Sequence, residues 1–349
     1  YRGMPGSMQC MTGSISTRFF RTWLVVVAGV LAVIATGHAQ VPERWRSAFP
    51  ETDFSRHAVP FDEIMSGGVL KDGSPSIDEP ERAPVAERRD WLADTEPVIG
   101  LAIKGDARAY PLRVLTWHEI ANDTVGGVPV AVTYCPLCNA AIVFEAKMDG
   151  KRLTFGTTGK LRHSDLVMYD RQTGTWWQQF TGRAIVGQHT GEKLDFVPAR
   201  LESWKEFANR HPDGKVLVPS DPNARPYGKN PYVSYDSAQS PFLYRGALPD
   251  KLPAMARVVV VGEDAWALDL VRQQGTIETQ THVITWQPGQ ASALDARTIA
   301  EGRDVGTVTV REKTPDGLQD AVYDVTFAFV HKAFHPDGKI RVEMDASGG

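Results

Sequence analysis

Cysteine is scarce in this chain. Of three among 349 residues, Cys10 lies in an N-terminal leader, and only Cys135 and Cys138 remain beyond it. One pair cannot staple a chain of this size, so an ordinary apolar core must hold it, and a hydrophobic content of 42% allows one. An excess of positive charge is also missing. Lys and Arg number 38 against 42 Asp and Glu, and a net charge of -4 argues against a nucleic-acid partner. No nucleophile elbow, Walker loop, dinucleotide fingerprint or His-Glu-x-x-His occurs, which leaves the common hydrolases, NTPases, dehydrogenases and zincins without motif support.

Long apolar runs are few. The segment from Trp23 to Ala35 is shorter than the ~18 residues a spanning helix needs. Arg18 and Arg21 precede it, and Gly37-His38-Ala39 follows with small residues at the positions a signal peptidase reads. Residues 1–39 therefore read as a secretory signal peptide, with Gln40 as the mature N-terminus and a periplasmic or secreted product that keeps no membrane anchor. Outside the cytoplasm, two thiols persist only if bridged, metal-bound or buried.

What the chain does have is one concentrated stretch, Val130 to Phe144, in which two β-rich runs flank Cys135-Pro136-Leu137-Cys138. Strand–turn–strand with Cys-Pro-x-Cys is the shape of a metal knuckle. A redox pair of the thioredoxin kind would instead open a helix. Asn139, directly after the second cysteine, suits a backbone with φ > 0.

Residues 40–95, rich in Pro, Ser and charge, read as an N-terminal arm wrapped on the core, and residues 96–345 as a single compact β-rich domain. Hairpin signals over 98–186 and 257–330 predict a mainly β (α+β) fold, antiparallel, with short helices. The expected elements include a helix over 115–121, a loop over 122–129, a helical piece over 201–210, and an aromatic cover from Asp221 to Tyr244. The run from Val258 to Leu270 echoes Leu101 to Leu112, which points to two related β lobes.

Four segments together carry a resemblance: Trp117-His118-Glu119-Ile120-Ala121-Asn122-Asp123, Thr133-Tyr134-Cys135-Pro136-Leu137-Cys138, Ser164 through Arg171, and Ala333-Phe334-His335-Pro336-Asp337. The chain resembles, over about residues 50 to 345, a prokaryotic family of exported proteins of unknown function marked by the Tyr-Cys-Pro-Leu-Cys core. The resemblance implies no established activity. The family motif usually carries Gly after the second Cys, where this chain has Asn139.

His118, on the element upstream of the cysteine strand, is the expected third ligand beside Cys135 and Cys138, with copper as the first ion and zinc the second. His163, Asp165, Tyr169, Asp170, Arg171, Trp177 and Tyr235 are candidates for a pocket if they converge on the sulfurs, and otherwise are hairpin and packing residues. Three functions stay open: a metal-binding protein, a thiol–disulfide oxidoreductase cycling Cys135 and Cys138, and a binding or scaffold module with a structural pair. The partner is a metal ion, a small molecule or another protein.

Overall fold

The computed structural model describes residues 41–88 and 91–344; the leader reading falls outside them. The fold is mainly β, antiparallel almost throughout, with a few short helices. It is built on one unit used twice.

The first use begins with β1 (Pro97–Ile103) and β2 (Asp106–Pro111), paired antiparallel with Ile103 opposite Asp106. The two-residue turn between them, Lys104-Gly105, has φ of 49° and 83°, the left-handed pair that matches strand twist. Helix α1 (Leu112–His118) follows, burying Leu112, Val114, Leu115 and Thr116. Then come β3 (Ile120–Val125), β4 (Val128–Cys135) and β5 (Ala140–Glu145), joined as an antiparallel meander. The helix expected over 115–121 therefore sits one turn earlier, and the loop expected over 122–129 is mostly strand. A short apolar run fits either period. The β-branched Ile120, Thr124 and Val125 and the left-handed Gly126-Gly127 turn decide it for a hairpin.

An insertion follows, carrying β6 (Phe155–Arg162), β7 (Asp165–Asp170), β8 (Trp176–Gln178) and β9 (Ala184–Val186), with Ile64–Ser66 of the arm on its edge. The arm buries Trp45, Phe49, Phe54 and Phe61 against Trp176, forming a satellite core. The unit then closes with β10 (Phe196–Val197), β11 (Arg200–Ser203), α2 (Trp204–Arg210) and β12 (Lys215–Val218). Of the helical piece expected over 201–210, all but the first three residues is helix. Ser203 caps it by accepting from the Glu206 N–H, and Leu201 to Ser203 pair with β1.

The second use runs β13 (Arg257–Val261), β14 (Asp264–Ala267), α3 (Leu268–Gln274), β15 (Thr276–Glu278), β16 (His282–Gln287), β17 (Thr307–Thr314), β18 (Gly317–Asp320), β19 (Asp324–Phe327), α4 (Ala328–Phe334) and β20 (Ile340–Arg341). Apart from the arm's Glu81–Pro84, which adds a fifth strand beside β12 in the first lobe, the sheets correspond strand for strand. Order β11-β1-β2-β12 in the first lobe answers β19-β13-β14-β20 in the second, and β10-β5-β4-β3 answers β18-β17-β16-β15. Even the one parallel pairing recurs, β12 on β2 and β20 on β14. The echo noted in the sequence is thus a duplicated unit. The lobes also pack reciprocally, β19 against β5 and β11 against β17.

Cys135 and Cys138 lie in the main apolar core, among Phe144, Phe155, Met168, Trp177, Phe327 and Phe329. Among the described residues, no helix is long and apolar enough to cross a membrane.

Candidate metal centre

The cysteine turn is short because β4 and β5 leave only residues 136–139 between the paired Cys135 and Ala140. Cys138 N–H donates to the Cys135 carbonyl at 3.2 Å and Asn139 N–H to the Pro136 carbonyl at 3.1 Å, closing the turn. Asn139 has φ 51°, and its side-chain Nδ2 donates to the Val325 carbonyl at 2.7 Å. A glycine would reach that backbone more cheaply but would lose this bond to the second lobe. β19 fastens the turn again, with the Thr326 hydroxyl donating to the Cys138 carbonyl at 2.7 Å. Tyr235 of the long aromatic segment donates to the Leu137 carbonyl at 3.1 Å. That segment is itself anchored by buried Asp236, paired with Arg257 at 3.0 Å and Arg303 at 2.8 Å.

One ligand-type atom from each of Cys135, Cys138 and Asp165 lies within 4.8 Å of the others, and all three residues are buried. Asp165 arrives from the insertion. The turn His163-Ser164, left-handed at both residues (φ 53° and 68°), swings the start of β7 toward the sulfurs. The Ser164 carbonyl accepts from the Cys135 thiol at 3.8 Å, and its hydroxyl donates to the Phe242 carbonyl. Asp165 Oδ2 accepts from Gln178 Nε2 at 2.6 Å and from the Phe180 N–H at 2.9 Å. Oδ1 is buried with no N–H or O–H partner, and the only further donors toward the carboxyl are the weak thiols of Cys135 and Cys138. A buried carboxylate oxygen without a partner costs about 1–3 kcal/mol or more, so it needs an explanation.

The electrostatics agree. Burial pushes the Asp165 carboxyl up to about 6, against the opposing pull of Gln178 and the Phe180 N–H. Burial also raises the Cys135 thiol, and the Asp165 and Glu119 carboxyls add to this. Cys138 is raised well above the usual thiol range, again chiefly by burial. Both thiols are therefore held neutral, and the carboxyl is shifted toward its neutral form, in a site whose atoms would each bind a cation when ionised.

The expected third ligand, His118, stands elsewhere. Its Nδ1 faces the Pro75 carbonyl at 2.7 Å, which makes Nδ1 the donor, and Nε2 accepts from the Tyr227 hydroxyl at 2.8 Å. Both ring nitrogens are occupied, and the ligand-type atom beside the sulfurs belongs to Asp165. Of the pocket candidates, Asp165 and Tyr235 meet at the cysteine turn. His163 lies 3.5 Å from Glu63 and packs edge-on to Phe334. Tyr169 donates to Asp72 at 2.7 Å, and Arg171 reaches Asp78 at 3.0 Å and Ser76 at 2.7 Å, so both fasten the arm. Asp170 caps its turn through the Thr173 N–H at 2.6 Å and accepts from Trp177 Nε1 at 2.9 Å.

Glu119, quoted above only within its motif, belongs with the centre. It ends α1 with φ 60° and ψ −32°, and its Oε1 accepts from the Ser74 hydroxyl of the arm at 3.0 Å. Enclosure by the protein pushes its carboxyl up to about 7, with Asp165 contributing. The residue is nonetheless partly exposed, unlike Cys135, Cys138 and Asp165. Nothing in its local sequence marks it, because no turn residue sits where the helix stops.

The profile of a family described as "Protein of unknown function (DUF3179)" matches residues 71–338, a span holding the whole centre and both lobes except β20. The chain belongs to the DUF3179 family. No curated protein and no solved structure matches it. In this DUF3179 protein a cavity of about 520 Å³ lies beside β5, among Phe196, Val260, Tyr323 and Phe334. Cys135, Cys138 and Asp165 do not line it.

Proposed function

We propose that this DUF3179 protein binds one divalent metal ion at Cys135, Cys138 and Asp165, with zinc preferred. The observation that carries the reading is the buried, unpartnered Oδ1 of Asp165 in reach of two free thiols. An ion there offsets the cost of all three groups at once, since the thiols ionise as they bind and the buried carboxylate gains a cation. Two thiolates suit copper or zinc, and a carboxylate oxygen as the third donor shifts the preference toward zinc. Three protein ligands leave a fourth position open, the pattern of zinc sites that act on a bound water or substrate. The leader pattern of residues 1–39 supports an exported protein, in which a bound ion would also keep the thiols from oxidising.

A thiol–disulfide pair is the second reading, supported by the close approach of two cysteines without a bridge. The surroundings favour it less. The pair lies in a β-turn with no helix N-terminus or cation to stabilise a thiolate, and both thiols are raised.

The test is a zinc titration of the reduced protein against a competing chelator. One equivalent should bind to wild type, and Asp165→Asn should weaken binding about 100-fold. No uptake by wild type, with an intact mass two hydrogens below the dithiol, would replace the metal reading with the disulfide.

A further inference from the structure

The duplicated unit supplies an internal reference for Glu119. In both lobes a seven-residue helix ends on one residue in the same unusual conformation: Glu119 at φ 60°, ψ −32° and Gly275 at φ 67°, ψ −42°. The hydrogen bonds around them are the same. Glu119 N–H donates to the Leu115 carbonyl at 2.7 Å, and Gly275 N–H to the Val271 carbonyl at 2.9 Å. The Glu119 carbonyl accepts from the Tyr134 N–H at 2.8 Å, and the Gly275 carbonyl from the Trp286 N–H at 2.9 Å. This φ, ψ pair lies outside the regions open to residues with a Cβ, including the left-handed helical region, whose ψ is positive. The second lobe meets the demand with glycine, which is unstrained there. The first lobe places a glutamate in the same backbone and bears the strain. A strained residue that its surroundings hold in place points to function.

The side chain says which function. Tyr134 directly precedes Cys135, so the hydrogen bond from Tyr134 N–H fixes Glu119 beside the cysteine strand. The carboxyl interacts electrostatically with both Cys135 and Asp165. It is the one acidic group of this neighbourhood on a partly exposed residue; the three ligand residues are 0–2% exposed. Entry of an ion into a site buried to that degree, and exit of the thiol protons, is eased by a charged group standing between the site and solvent. Each thiol that binds gives up one proton, so two protons leave as one ion enters.

Resting on the metal reading above, we infer that Glu119 is the loading residue of the centre. Its carboxylate receives a divalent cation from solvent and hands it inward to Cys135, Cys138 and Asp165. A permanent ligand would share their cluster, and Glu119 is outside it. Its effect is therefore on the rate of exchange rather than on final affinity.

A purely structural role, fastening the arm through Ser74, makes a different prediction, and four proteins separate the two. Zinc uptake and release by the reduced full chain are followed by rapid mixing for wild type, Glu119→Gln, Glu119→Gly and Ser74→Ala, beside equilibrium affinity and the thermal midpoint of the metal-free form. Glu119→Gln keeps the size and an acceptor for Ser74 but removes the charge. It should slow uptake and release together by roughly 10–100-fold while leaving affinity within about threefold. Glu119→Gly should be equally slow, yet melt about 2–5 °C higher because the strain is gone. Ser74→Ala should load at the wild-type rate. Glu119→Gln loading as fast as wild type would overturn the inference with the metal reading intact. So would Glu119→Gly melting no higher than wild type. Wild type taking up no zinc would remove the metal reading and the inference with it.

Discussion

The two lobes share eight strands, two helices and one strained cap, yet only the first holds the buried sulfur–carboxylate centre. The registers locate the differences. Thr133 pairs with Ile120 as Thr285 pairs with Thr276, so Tyr134 answers Trp286 and Cys135 answers Gln287; each of the latter two is followed by proline. After that proline the first lobe closes at once through residues 136–139. The second makes a long excursion, 288–306, before rejoining at Thr307. Glutamate ends the helix in one lobe and glycine in the other, and only the first lobe carries the insertion that delivers Asp165. The centre is an addition of a few residues to a frame that recurs without them in the second lobe.

The sharpest break in that comparison is removal of sulfur. Cys135→Ser or Cys138→Ser should lower zinc affinity by more than about a thousandfold, read by chelator competition, since thiolates supply most of the binding energy. The reciprocal change, Gln287→Cys in the second lobe, should add no zinc, because the second lobe has no other cysteine to complete a thiolate pair.

Asp165→Asn comes next and carries a pH signature. The native carboxyl sits at about 6, above its ordinary 3.8. Between those values the folded chain keeps a proton that the unfolded chain has released. The contribution of this group to the stability of the metal-free protein is therefore fullest below about pH 4 and declines as pH rises to 6, by up to ~3 kcal/mol. Glu119, at about 7, extends the decline in the same direction. Denaturant melts of the metal-free form across pH 4–7 should show the fall, and Asp165→Asn should flatten its lower half. Saturating zinc should reverse the slope, because ligation needs the ionised carboxylate.

A smaller effect tests the cap. Gly275→Glu writes the strained residue into the lobe without a centre and should destabilise the protein by about 1–3 kcal/mol with no change in zinc uptake. Unchanged denaturant midpoints would show that this backbone carries no strain. Smallest is Asn139→Gly, where relief of the left-handed backbone opposes loss of the Val325 bond, leaving a net change within about 1 kcal/mol. Asn139→Ala loses both advantages and should cost more than Asn139→Gly.

Much of this was written in the chain. Strand–turn–strand around Cys135 and Cys138, the left-handed Asn139 and the β-rich class follow from local rules, because turn chemistry and β-branching act over a few residues. The duplication showed only at the Asp-Ala-x-Ala hairpin, since strands of the two lobes share topology rather than side chains. The strand over 120–125 was hidden by its Asn122-Asp123 pair, which reads as a turn. Asn122 in fact bonds both the N–H and the carbonyl of Phe155 across to β6, at 2.8 Å each. Asp165 could be named as polar but not brought to the sulfurs, as that depends on two successive left-handed residues at His163-Ser164. His118 drew attention as the nearest histidine in sequence, while its two ring nitrogens were destined for Pro75 and Tyr227, the latter 109 positions away. Glu119 was invisible until its counterpart in the second lobe proved to be glycine.

The ligand set itself decides the account most directly. X-ray absorption at the zinc edge of the loaded full-length protein should show two sulfur scatterers at about 2.3 Å and one or two oxygens at about 2.0–2.2 Å, with no imidazole signature. Asp165→Asn should lose part of the oxygen shell and keep both sulfurs. A zinc environment without sulfur, or one containing histidine in place of the carboxylate, would contradict the centre described for this fold.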